Sequence, residues 1–86
     1  MFIHLGGDVI VPKEEIVCIM NWSLISKAEA TREFIQLAED DKFVQRISDK
    51  GREKSFIVTS GKIYFSPISS VTLKKRASGW DNFLSG

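Results

Sequence analysis

Ile16-Val17-Cys18-Ile19-Met20 is an uninterrupted apolar run, rich in β-branched residues, inside a chain of 86 residues. Such a run marks a strand covered on both faces rather than one that alternates between core and water. A chain this short has little material to cover two faces and buries a modest fraction of its surface. Chains of this size usually gain stability from disulfides, a metal or partner subunits. Cys18 is the single cysteine, which excludes an intrachain disulfide and a cysteine-rich zinc site. His4 is the single histidine, so paired-histidine metal motifs and a histidine relay are excluded as well. Of the three aids, partner subunits remain.

Hydrophobic residues at 43% and charged residues at 27% are globular values, so wholesale disorder is excluded. No apolar run approaches the ~18–20 residues that a membrane-spanning helix needs. The opening Met1-Phe2-Ile3-His4-Leu5 has no basic segment and Asp8 follows soon after, so no signal peptide is read and a cytoplasmic protein is expected.

Residues 2–5 read as a short strand, Gly6-Gly7-Asp8 as a turn, and Val9-Ile10-Val11 as a second strand ended by Pro12. The apolar run is the third strand. Ser26-Lys27-Ala28-Glu29 has the form of a capping box, in which the Ser26 hydroxyl accepts from a first-turn amide and Glu29 reaches back. Ala30, Phe34, Leu37 and Ala38 then recur at helical spacing and predict one inward stripe. The helix should stop near Asp40-Asp41, where paired carboxylates oppose its dipole. Residues 43–47 alternate as a strand, and Ser48-Asp49-Lys50-Gly51 is a turn signal. Ser60-Gly61 between residues 55–59 and 62–66 predicts a hairpin. Residues 70–76 predict a short helix with Ser70 as cap, Gly79 beyond its end, and a fraying tail over residues 82–86. The expected fold is α+β: a small, mostly antiparallel β domain with one central α-helix and a short C-terminal helix.

The net charge of +1 hides a division. Residues 1–41 carry three basic and eight acidic groups, whereas residues 42–86 carry nine basic and three acidic ones. Such asymmetry suits either polyanion binding or an acidic face of one subunit meeting the basic face of another. Plain solvation of both halves fits it equally.

Catalytic chemistry is not legible. Cys18 lies inside an apolar run, where a thiol stays neutral and acts as a small hydrophobe. His4, between Ile3 and Leu5, points to the opposite face as a surface or interface residue. Glu39-Asp40-Asp41 lacks the alternating oxygen ligands of a calcium loop, and Gly6-Gly7 lacks both the spacing and the lysine of a phosphate loop. No metal, cofactor or small-molecule substrate is expected. Two basic clusters remain. Lys50-Gly51-Arg52-Glu53-Lys54 sits on a turn, where a glycine lets a guanidinium approach a phosphate. Lys74-Lys75-Arg76 ends the short helix, where three adjacent cations cannot share one face. Tyr64 and Trp80 could stack on bases, but each fits a packing role equally well.

His4-Leu5-Gly6 with Asp8-Val9-Ile10, the Ile16-Val17 run, the helix through Arg32 and Phe34, the Gly51-Arg52 turn, and Ile57-Val58-Thr59 leading to Ser66-Pro67 resemble the RemA/RemB family of bacterial extracellular-matrix (biofilm) regulators. Ile63-Tyr64-Phe65-Ser66-Pro67 with Thr72-Leu73-Lys74-Lys75-Arg76 resembles its RemB-like branch most strongly. The resemblance covers residues 1–77 as one domain, with residues 78–86 as a tail. It implies a cytoplasmic regulator that binds double-stranded DNA as a ring-shaped homo-oligomer, with a subunit likened to LytTR-type modules. It also implies a pair of arginines after the turn glycine. Arg52 matches the first, and Glu53 falls at the second with Lys54 nearby. An arginine implied before the third strand falls near Glu14, beside Lys13.

The resulting expectation is a non-enzymatic DNA-binding transcriptional regulator, with Lys50, Arg52, Lys54, Lys74, Lys75, Arg76 and Lys13 as DNA contacts. Shape readout is favoured over base readout, since no recognition helix is visible. In this reading Glu53 points away from the phosphates, and Glu53→Arg should tighten binding by restoring the implied pair. The alternative is a structural or interaction protein without direct DNA contact, favoured if Glu53 pairs with Arg52. An RNA-binding β protein ranks third, for want of an aromatic platform.

Overall fold

Gly6 and Gly7 adopt φ of +117° and +53°, which L side chains rarely adopt, and they turn β1 (Phe2–Gly6) back onto β2 (Val9–Pro12). A Cβ on Gly6 would also lie 3.3 Å from Pro67 Cδ and 3.4 Å from Ile47 Cγ2, so the turn sits close against later parts of the chain. The structure is a computed structural model and describes residues 1–78; the readings of Gly79, Trp80 and residues 82–86 lie outside the described residues.

A 3-10 turn (Lys13–Glu15) leads from the hairpin into β3 (Ile16–Asn21). A single helical turn, α1 (Leu24–Lys27), and the longer α2 (Glu29–Asp40) follow. Then come β4 (Val44–Arg46), β5 (Ser55–Thr59), β6 (Ile63–Ser66) and α3 (Ser70–Ala77). The four later strands form one sheet in the order β3-β5-β6-β4. β5 pairs antiparallel with both β3 and β6, and only β4 runs parallel to its neighbour. The α+β class and the Ser60-Gly61 hairpin are therefore as the sequence predicts.

Strand alternation sends Phe56, Ile63 and Phe65 to one face of the sheet and Ile57 to the other. Ile57 joins Ile3, Leu5, Val11, Ile19 and Leu73 in a core roofed by the β1–β2 hairpin and α3. The opposite face packs Phe56, Ile63 and Phe65 against Ile35 and Ala38 of α2, with Trp22 edge-on to Phe65 at 4.7 Å between ring centroids. Two buried serines tie the layers together. Ser66 Oγ donates to the Leu5 carbonyl (2.6 Å) and accepts from the Ile68 amide (3.0 Å), while Ser55 Oγ donates to the Ile68 carbonyl (2.7 Å).

Several expectations change. The capping box does not form: Ser26 lies in α1 and its hydroxyl donates to the Ser23 carbonyl, while extended Ala28 precedes α2 with no side-chain cap. Of the predicted inward stripe of α2 only Ala38 is buried, and its buried companion is Ile35, whereas Ala30, Phe34 (49% exposed) and Leu37 (64% exposed) face outward. The helix does end at Asp40, but what ends it is a Schellman motif. Lys42 takes φ +63°, its amide donates to Glu39, and the Phe43 amide reaches back to Ala38. Ser69, not Ser70, caps α3 by accepting from the Thr72 amide at 3.2 Å. Finally, β3 is an edge strand. Ile19 is buried and Met20 packs on the α2 side, so the chain itself covers both faces there, yet Val17 remains 70% exposed.

Candidate nucleic-acid interface

The link between β4 and β5 carries the first basic cluster, and its backbone is fixed at both ends. The Ile47 amide donates to Phe65, extending the β4 ladder by one bond. At the far end the Lys54 amide donates to the Ser66 carbonyl (2.8 Å) and the Lys54 carbonyl accepts from Trp22 (3.1 Å). Between them the Arg52 amide closes a turn onto Asp49 (3.2 Å). Gly51 takes φ +95° with no atom within 4 Å of where a Cβ would stand, so conformation rather than space requires glycine.

Glu53 holds this turn from inside. Its side chain is only 5% exposed; Oε1 accepts from the Gly51 amide (2.8 Å) and Oε2 from Arg46 Nη1 (2.6 Å). Arg46 also reaches Glu39 Oε2 on α2 at 3.2 Å and lies 5.0 Å from the centre of the Phe65 ring. Burial alone pushes the Glu53 carboxyl up. The amides of Glu53 and Gly51, with the charge and hydrogen bond of Arg46, outweigh it and hold the pKa below its ordinary 4.5. Glu53 therefore pairs with Arg46, across the sheet edge, and forms no ion pair with Arg52.

Lys50, Arg52 and Lys54 are all exposed, and none of their charged ends has a hydrogen bond or ion pair among the described residues. Arg52 and Lys54 line an open cleft of about 410 Å³ with Gly51, Glu53 and Pro67. Three uncommitted cations on a backbone pinned at both ends form a surface suited to a polyanion.

The other basic residues are placed differently. Lys74 and Lys75 are exposed on α3, but Arg76 Nη1 donates to the His4 carbonyl at 2.9 Å. His4 itself is exposed, and its Nε2 donates to the Gly7 carbonyl at 2.7 Å. Lys13 sits beside Met1, whose carbonyl accepts from its amide (2.9 Å), at the end of the hairpin away from Gly6. Roughly 15 Å of strand separates it from the glycine turn that abuts Pro67. Glu14, next to it, lies 3.8 Å from the N-terminal amine. The fold thus groups Lys50, Arg52 and Lys54 and leaves Lys13 apart. Sequence reasoning counted Arg46 only as one more cation. Its partners lie seven residues away on either side, and the one signal was an acidic residue at the position where the family resemblance implies arginine.

Comparison with known proteins gives two findings. Residues 2–77 match the family model "RemA-like: Extracellular matrix regulatory protein A-like". Extracellular matrix regulatory protein B of Bacillus subtilis (strain 168) is 40% identical over 77 residues, covering 90% of each chain. With a family model spanning nearly all of the described residues, and a relative at this identity along nearly its full length, the chain belongs to the RemA-like family.

Proposed function

We propose that the protein is a non-enzymatic regulator of extracellular-matrix genes that acts in the cytoplasm by binding double-stranded DNA as a ring-shaped homo-oligomer. The observation that carries this reading is the trio Lys50, Arg52 and Lys54, exposed and unpaired on a loop held at both ends. The Bacillus subtilis relative is an extracellular matrix regulatory protein, and that supports the process assigned here. One subunit offers few phosphate contacts. A ring repeats them, so weak contacts combine on one duplex.

Support for assembly lies on the α2 side rather than in β3. Phe34, Leu37 and Phe43 (53% exposed) border an apolar cleft of about 420 Å³ floored by Val58 and Ile63. Exposed apolar surface of this kind favours contact with another protein surface. The same cleft supports the second reading, an interaction protein that makes no DNA contact.

Size-exclusion chromatography with light scattering, with and without duplex DNA, separates the two readings. An oligomer whose mass rises on adding duplex, with affinity falling steeply in salt, is expected. An oligomer that ignores duplex at low salt would leave the interaction reading, and a folded monomer at high concentration would end the ring.

A further inference from the structure

Glu53 looks like a defect in a phosphate site, since it puts a carboxylate between Arg52 and Lys54. Simple Coulomb reasoning says that deleting it should strengthen attraction for a polyanion. Its surroundings argue the reverse. The side chain is 5% exposed, both oxygens are occupied, and Arg46 Nη1 at 2.6 Å offsets the charge locally. One oxygen holds the amide of Gly51, the residue immediately before Arg52 and the one whose φ of +95° sets the turn. The other holds Arg46, which is itself fixed to Glu39 of α2 and over Phe65 of β6. A chain of contacts therefore runs from helix and sheet, through Arg46 and Glu53, to the backbone that carries Arg52.

We infer that Glu53 is a positioning residue: it braces the 50–54 loop for phosphate contact, so that its carboxylate aids duplex binding although its charge opposes it. This rests on the DNA-binding reading above. The physical basis is preorganisation, because a loop already ordered when free loses less entropy on binding than one that must be ordered by its ligand. Without the carboxylate, the Gly51 amide and the Arg46 guanidinium lose their shared partner, and between its pinned ends the turn that carries Arg52 keeps only the Arg52–Asp49 main-chain bond.

The test uses the near-isosteric Glu53→Gln, which leaves one acceptor oxygen for Gly51 and Arg46 and so breaks the link between them, with duplex affinity from a salt titration and amide hydrogen exchange of Gly51 and Arg52 measured on the free protein. The brace predicts faster exchange at both amides and duplex affinity lowered roughly three- to tenfold, despite the lost negative charge. Glu53→Arg should also weaken binding, contrary to what the family resemblance alone implies. Tighter binding by Glu53→Gln, with or without faster exchange, means that charge outweighs geometry and overturns the inference. Weaker binding with unchanged exchange overturns it too, because the loop was then not what the carboxylate held. If the unaltered protein binds no duplex at all, the DNA reading falls and the positioning role with it. If it binds and only the Glu53→Gln result is contrary, the DNA reading stands and the brace alone fails.

Discussion

The Arg76 guanidinium donates to the main-chain carbonyl of His4 at 2.9 Å, fastening the last turn of α3 to the first strand of the chain. The two residues are seventy-two positions apart, so the contact closes nearly the whole chain on itself. Arg76 thus differs in role from Lys74 and Lys75, its neighbours in sequence.

Arg76→Gln is expected to lower stability by about 0.5–1.5 kcal/mol, the ordinary net worth of such a hydrogen bond. The double change of Lys74 and Lys75 to Gln should leave the melting temperature nearly as it was. It should reduce duplex affinity and flatten the salt dependence by about 0.9 in log–log slope for each phosphate contact removed. Thermal melts of both variants beside one salt titration check this. Affinity unchanged in the lysine variant would assign that pair to the helix end and to solubility.

Ser66→Ala should be costly for so small a change. The hydroxyl is fully buried, donates to Leu5 and accepts from Ile68, so its loss strands a buried carbonyl and a partly buried amide. A loss of about 1–3 kcal/mol is expected. In a domain of this size each kcal/mol lowers Tm by about 4–8 °C. A melt within 2 °C or so of the unaltered protein would show that the hydroxyl does not couple the two layers.

Glu53 gives a pH dependence of defined sign. Its folded-state pKa is lowered below 4.5, so the unfolded chain takes up that proton more readily than the folded one. The ionised brace therefore contributes fully above about pH 4.5 and is lost as pH falls through the lower folded value. The chemical shift of the Gly51 amide reports it directly, since that amide donates to the titrating carboxylate. A midpoint at or above 4.5 would contradict the geometry.

Ile19 and Phe34 separate folding from assembly. Ile19 is 6% exposed beneath the hairpin and α3, so Ile19→Asp should unfold the subunit rather than merely part it from a neighbour. Phe34→Gln with Leu37→Gln changes two exposed side chains beside the apolar cleft. That variant should still fold, with a cooperative melt lowered only by the loss of the subunit contact, while losing mass in light scattering. If mass is retained, subunit contact lies elsewhere.

Much of this architecture was legible where a local pattern and the tertiary structure agree. The two-glycine turn, the β-branched run of β3 and the Ser60-Gly61 hairpin each have a short-range physical cause. The helix stop at Asp40 was also found, although Lys42 in the left-handed region was not foreseen, because lysine carries no preference for it. The α2 face was placed only in part, because a 3.6-residue period lets Ala38 share an inward stripe either with Phe34 and Leu37 or with Ile35. Only the sheet beneath, with Phe56 and Phe65 in place, selects the second. The capping box failed because Ser26 belongs to a separate turn, and extended Ala28 breaks the register between Ser26 and Glu29. In the candidate site, the cluster Lys50, Arg52 and Lys54 was visible as composition. The partner of Glu53 was not, since Arg46 reaches it across a loop and no pairwise spacing rule covers seven residues.

The strand order has a consequence for how the molecule comes into being. β3 and β4 are the outermost strands, but both precede in the chain the two strands that stand between them. A chain folded only as far as residue 54 could close its first hairpin and wind α2, yet it would have no place to lay either strand. The missing centre is the β5–β6 hairpin, joined by a tight local turn and able to form on its own in about 1–10 μs. Its arrival offers β3 and β4 their hydrogen-bonding partners at the same moment and gives both hydrophobic layers a floor. Changes that slow closure of the Ser60-Gly61 turn should therefore lower the folding rate more than equal destabilisation placed in β1 or β2.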